Sequence, residues 1–219
     1  MSRIIDRISF KKFKKNPKWI VGYSDITVLH AHLYSKYGIS SLHAPMAAAF
    51  NDEGYLNPYI ASLKNALEGR PAHYEAPGHL NNIPGVTEGQ LVGGNLSLVA
   101  HLTGSVSEFK TKNKILFLED VGEYLYSIDR MMIHLKRAGK FDKLHGLILG
   151  GFTDSKDTDL PYGKTVDEIL YEHVKDFEFP VCFHFPVSHE AENYALKIGG
   201  NYSLTVSNEK VSLEEILPQ

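Results

Sequence analysis

One cysteine in 219 residues excludes an intrachain disulfide framework. Cys182 lies inside an apolar run, where cysteine acts as a small buried hydrophobe, and its isolation suits a reducing compartment. No apolar stretch approaches a membrane span, and Met1 to Asp6 lack the apolar core of a signal peptide. The expectation is a cytoplasmic protein with no membrane partner. Excess charge is also missing: 23 basic and 26 acidic residues leave a net charge of −3, so nothing pulls the chain towards nucleic acid. The one basic cluster, Lys11, Lys12, Lys14, Lys15 and Lys18, alternates with Phe10, Phe13 and Trp19 and reads as a solvated face. There is no Walker loop, dinucleotide fingerprint, HExxH or Cys/His ligand spacing, so neither cofactor nor metal is expected. His189, Glu190 and Glu192 do not make a zinc set by themselves.

What is present reads as α/β in two unequal parts. Trp19 to Tyr23 is a strand, Ser24-Asp25 caps a helix carrying Ile26, Leu29, Leu33 and Tyr37, and Gly38 stops it. Ile39 to Leu42 is the next strand, which completes a β-α-β fragment too small to bury a core of its own. Asn57-Pro58 opens a helix that runs to Gly69. Residues 1–69 form this first part, and 70–84, rich in Pro, Gly, Asn and His, read as a linker. A fuller domain spans 85–219. In it, Gly93-Gly-Asn95 precedes a helix, Leu125, Ile128, Met132 and Leu135 form a helical stripe, and Leu144 to Leu149 is a buried strand ending at Gly150-Gly151. Thr165-Val-Asp-Glu168 is a capping box, and the tail from Tyr202 to Leu213 folds as a hairpin around Asn208-Glu209.

The chemistry concentrates in Lys114-Ile-Leu-Phe-Leu-Glu-Asp-Val-Gly-Glu123. A strand buried on both faces delivers Glu119 and Asp120 at its end, where open α/β sheets place their sites. A second run, Pro180 to His189, ends on a histidine. A carboxylate and an imidazole at neighbouring strand ends are two members of a hydrolytic triad. Plainer readings stand beside this one: Glu119 as a cap or the partner of Arg130, Asp120 and Glu123 as helix-start acids, His189 as one of eleven scattered histidines. Gly93-Gly94-Asn95 reads either as a tight turn or as an anion cradle.

These segments together resemble the serine LD-carboxypeptidases, a family that includes murein tetrapeptide carboxypeptidases and microcin-C immunity peptidases. The likeness rests on Arg3-Ile-Ile-Asp6, Gly22-Tyr-Ser-Asp-Ile-Thr27, His43-Ala-Pro-Met46, Gly93-Gly-Asn-Leu96, Leu116 to Glu123 with Ile128-Asp-Arg130, and Pro186-Val-Ser-His189. The resemblance implies an α/β fold in which a remnant of an N-terminal nucleophile domain joins a C-terminal LD-carboxypeptidase domain. Glu119 and His189 become the triad's acid and base, Gly94 and Asn95 substrate contacts, and Arg130 either a contact to the substrate carboxylate or a partner of Glu119 or Asp129.

Matched to the family pattern, Met1 falls at the position of the nucleophilic serine, Ser2 is one residue out of register, and the oxyanion segment lies upstream. The expectation is an N-terminally truncated enzyme, inactive alone. The complete enzyme would remove terminal D-alanine from murein tetrapeptide without a cofactor, in cell-wall recycling. A murein-derived peptide is then the partner. Family members commonly form homodimers, with aggregation of an exposed half-domain as the alternative. The competing reading is a non-catalytic peptide-binding or assembly module. A microcin-type peptidase is a third.

Overall fold

Parallel pairing of short buried strands organises the chain. The computed structural model describes residues 1–50 and 57–217. The first part holds α1 (Lys11–Lys15), β1 (Val21–Gly22), α2 (Thr27–Tyr37), β2 (Ser41–His43) and α3 (Pro58–Leu67). β1 pairs parallel with β2 through α2, and Gly38 ends that helix at φ 66° as expected. The cap differs from the expectation. Ser24–Ile26 form a 3-10 turn, and the α-helix starts at Thr27. His30 ties the unit together: its Nε2 meets the Gly22 carbonyl at 2.8 Å and its Nδ1 the Ser41 hydroxyl at 2.8 Å. Burial lowers its pKa to about 4, so it is a neutral strut. The lysines of α1 are solvated.

The second part holds β3 (His73–Pro77), β4 (Gly85–Asn95), α4 (Leu96–Leu102), β5 (Lys114–Val121), α5 (Leu125–Arg137), β6 (Gly146–Thr153), α6 (Val166–Val174), β7 (Val181–Cys182), β8 (Leu196–Ile198), β9 (Asn201–Val206) and β10 (Lys210–Ile216). Seven strands form one sheet in the order β3-β10-β9-β4-β5-β6-β7. β4 to β7 run parallel, linked by α4, α5 and α6, which pack side by side. The tail hairpin β9–β10 is antiparallel and joins β4 to β3. The small sheet, β1-β2-β8, borrows its third strand from the end of the chain. Apolar side chains from both parts, Val28 and Leu33 as well as Leu116 and Leu147, share one core.

Two expectations change. The stretch 70–84 is more than a linker: Tyr74 and Ala76 alternate inward and make β3 the sheet's edge. The run 180–189 is a strand for only two residues, because past Cys182 the Phe183 N–H goes to the Asn82 side chain and His184 turns left-handed at φ 55°. Cys182 is buried as expected, and burial pushes its thiol up to about 12.

Gly93 and Gly94 are strand rather than turn. They hold φ 140° and 144°, and a Cβ on Gly93 would stand 1.9 Å from the Phe117 carbonyl oxygen of β5. A Cβ on Gly94 would strike the Thr27 hydroxyl at 2.6 Å. Bare backbone here lets β4 lie flush between β5 and α2. The next residue, Asn95, caps α4 and donates its amide to Asp120 Oδ1 at 2.7 Å. Asp120 also accepts from the N–H groups of Ser97 and Val121, each at 2.9 Å. It serves the start of α4, not the helix that follows it in sequence. α5 begins at Leu125 with no acid in its first turn.

Two predictions arise from this junction. Gly93→Ala should destabilise the chain by roughly 3 kcal/mol or more, through backbone strain and overlap with β5, and an unchanged urea midpoint would contradict the packing described. Burial raises Asp120 from 3.8 to about 6, against the opposing hydrogen bonds. A raised folded-state pKa means the folded chain keeps this proton longer than the unfolded one. The contribution of Asp120 to stability is therefore full below pH 3.8 and lost as pH rises through about 6. Carboxyl-carbon NMR should show Asp120 titrating near that upper value, and a midpoint at or below 3.8 would refute the assignment.

Candidate active site

β5 carries Glu119 to its end with no solvent exposure at all. An isolated carboxylate there would be costly, so a partner is required. The segment after β7 supplies it. The backbone of Val187 lies so close to β6 that a Cβ on Gly150 would be 2.2 Å from the Val187 carbonyl oxygen. Expected to end the strand, Gly150-Gly151 instead continues β6 and admits this neighbour. His189 then reaches over β6, and its Nδ1 lies 2.6 Å from Glu119 Oε2. With Glu119 ionised, Nδ1–H donates. Burial pushes the Glu119 carboxyl up, while His189 and then Asn95 act in the opposite direction.

This hydrogen bond fixes the ring and leaves Nε2 with a free lone pair. Nε2 is buried and has no hydrogen-bond partner among the described residues, and neither has Glu119 Oε1. Buried polar atoms are normally satisfied, so orphans concentrated at one place mark where another group belongs. The Tyr23 ring stands edge-on to His189, centroids 4.9 Å apart. A cleft of about 280 Å³ opens beside them, lined in part by Tyr23, Pro45, Asn57, His189 and Asn193.

Two further buried groups are orphaned there. Both ring nitrogens of His43 lack partners among the described residues, as do both ends of the Asn193 amide. Burial keeps the His43 pKa well below its ordinary value, with His30 and His189 adding to the effect, so its ring is neutral. It packs edge-on to Phe117 at 5.0 Å. Tyr23 and His43 lie within the sequence motifs, but nothing in their local pattern assigns either a role. Asn193 carried no local signal.

The other expected site residues fall as follows. Gly94 and Asn95 adjoin Glu119 across the β4–β5 pairing. The Asn95 N–H is taken by the Thr27 hydroxyl at 3.2 Å and its side-chain amide by Asp120, so both of these donors are committed to the frame. Arg130 is exposed on α5, 5.3 Å above the Tyr126 ring. Among the described residues it pairs with neither Glu119, which binds His189, nor Asp129, which binds His173. The Met1 amino group lies 3.4 Å from Asp25, two residues beyond Tyr23. No hydroxyl, that of Ser2 included, bonds to His189 Nε2 among the described residues. Glu190 and Glu192 are exposed, and among the described residues their carboxylates bond to neither Glu119 nor His189. A carboxylate–imidazole pair with a vacant basic nitrogen facing a cleft is equipped to take a proton from a hydroxyl and pass it to a leaving group.

Comparison with known proteins leads to the same chemistry. Residues 88–204 match the LD-carboxypeptidase C-terminal domain and residues 1–44 the LD-carboxypeptidase N-terminal domain. The chain is 30% identical over 215 residues to a Bacillus subtilis protein named "Probable murein peptide carboxypeptidase", covering 97% of this chain and 67% of that protein. It is 29% identical over 194 residues to the murein tetrapeptide carboxypeptidase of Pseudomonas aeruginosa, covering 84% and 62%. The crystal structure of muramoyltetrapeptide carboxypeptidase from Oxalobacter formigenes superposes with a TM-score of 0.88 at 27% identity, over 100% of this chain and 75% of that one. The chain thus spans about two thirds of the length of these curated relatives. With both domain signatures in order and the fold shared throughout, the chain belongs to the serine LD-carboxypeptidase family of hydrolases.

Proposed function

We propose that this chain carries the acid and base of an LD-carboxypeptidase that removes terminal D-alanine from murein tetrapeptide, and that its 219 residues do not supply the nucleophile. The observation behind both parts is the buried Nε2 of His189, whose ring Glu119 holds and which no hydroxyl bonds among the described residues. In the complete reaction His189 takes the proton of an attacking serine at Nε2 and later returns it to the leaving amine. Glu119 keeps the ring in the required tautomer and stabilises the imidazolium. Gly94 and Asn95 form the wall beneath the pair, and Arg130 offers a guanidinium to the substrate carboxylate. The named activity of the Pseudomonas aeruginosa relative supports the choice of substrate.

Loss of a triad nucleophile costs about a million-fold in turnover. The purified chain should therefore release no more D-alanine from murein tetrapeptide than its His189→Ala variant, beside a working full-length murein tetrapeptide carboxypeptidase. Turnover abolished by His189→Ala would overturn the missing nucleophile while supporting the pair. Calorimetry separates the substrate reading from the catalytic one. The tetrapeptide should bind, the tripeptide lacking D-alanine should bind more weakly, and Arg130→Ala should reduce tetrapeptide affinity about tenfold. Absence of tetrapeptide binding would refute the choice of substrate.

A further inference from the structure

Outside the catalytic pair, three more groups with ligand chemistry converge at the far edge of the parallel strands. His79 comes from the segment between β3 and β4, Asp167 from the first turn of α6, and His184 from the second residue after β7. One ligand atom from each lies within 4.8 Å of the others. His184 Nε2 stands 3.0 and 2.9 Å from the two carboxylate oxygens of Asp167, and His79 Nε2 is 3.7 Å from Oδ2. The proposed peptidase chemistry uses none of them. They are also distinct from His189, Glu190 and Glu192.

The cluster is held from several sides. The His79 ring stacks on Phe183 at 5.7 Å and lies 4.9 Å from the His184 ring. Asn82 pins the same segment, accepting from the Phe183 N–H at 2.9 Å and donating to the Ser207 carbonyl at 2.8 Å. Ile83 is bridged to Val181. His184 sits at φ 55°, a left-handed conformation uncommon outside glycine and a form of strain that collects at functional positions. A single ion pair between His184 and Asp167 would not require a second imidazole brought in from a distant segment.

Two imidazoles and a carboxylate are ligands for zinc-type ions. At bond lengths of about 2.0–2.1 Å, tetrahedral donors stand about 3.3 Å apart, and the observed 2.9 and 3.7 Å bracket that spacing. A cleft of about 180 Å³ lined by Gly150, Phe152, Leu170 and His184 adjoins the cluster and leaves room for a solvent ligand. We propose that His79, Asp167 and His184 form a binding site for one divalent transition-metal ion of zinc type, with water as the fourth ligand. The ion replaces the proton shared by His184 and Asp167. At His79 the ring proton moves to Nδ1, giving up a long 3.3 Å contact from the Asn81 N–H. Coordination joins three separate segments, one of them five residues before His189, and so braces the approach to the catalytic loop.

The test uses the chelator-treated chain, titrated with Zn²⁺ by calorimetry and with Co²⁺ by visible absorption. One ion per chain should bind with a Kd of about 10 μM or tighter, give the d–d bands of a tetrahedral N/O site, and raise the thermal midpoint. His79→Gln, Asp167→Asn and His184→Asn should each weaken binding by about tenfold or more. Asparagine is chosen at 184 because it tolerates the left-handed backbone. Melting of each metal-free variant confirms that it folds. His73→Gln, placed between Glu75 and Glu214 on the surface, should leave binding unchanged. Kd values weaker than ~100 μM, binding that persists in the three cluster variants, or loss of binding in His73→Gln or His189→Ala would each overturn the proposal.

Discussion

A carboxylate with no solvent exposure must be held by a partner, and Glu119 is held by one imidazole. Much of the molecule is arranged around that requirement. β4 and β5 must meet without side chains at Gly93 so that Glu119 emerges at the right level. β6 must be bare at Gly150 so that the strand between the two partners does not keep them apart. A buried carboxylate held by a neutral imidazole contributes little net stability once its desolvation is counted. Its persistence makes sense as preorganisation, since it gives one imidazole nitrogen a single direction to face.

The site is also unusually rich in unsatisfied polar atoms for a buried region. His43, Asn193, Glu119 and His189 all present atoms without partners among the described residues, and His189 and Asn193 line one cleft. Each would cost on the order of 1–3 kcal/mol if left permanently dry and alone. Their grouping supports a polar occupant such as a peptide terminus. By contrast, Asp120 and Asn95, equally buried, satisfy each other and the start of α4. The two acids that stand side by side in sequence thus divide the work, one holding His189 and the other bracing the frame.

What was legible in the sequence is what short-range physics decides. The capping box at Thr165 and Glu168, the stop at Gly38 and the apolar run into Glu119 are local signals, and each stands in the structure. β3 was hidden because an edge strand with only Tyr74 and Ala76 facing inward looks like a polar loop. The role of Gly93-Gly94 depended on how close Phe117 and Thr27 come, which no window of sequence contains. The meeting of His79 with Asp167 and His184 follows only from topology, since their segments are 88 and 17 residues apart in sequence and are joined by the approach of α6 and the Asn82 anchor to β7. Glu119 and His189 could be nominated singly from residue patterns, but their pairing rested on resemblance until the fold set β6 between them.

The borrowed strand of the small sheet bears on how the polypeptide folds as it is made. β1 and β2 appear within the first 43 residues, yet β8, which pairs antiparallel with β2 through Ser41–Ile198 to His43–Leu196, comes more than 150 residues later. Until then the outer edge of β2 has no strand to receive it. A ribosome making these residues must therefore extrude β8 before the β1-β2-β8 sheet can close. Contacts of such long sequence separation slow folding and prolong the exposure of an open edge. The sheet begun by β1 and β2 is completed only when β8 arrives.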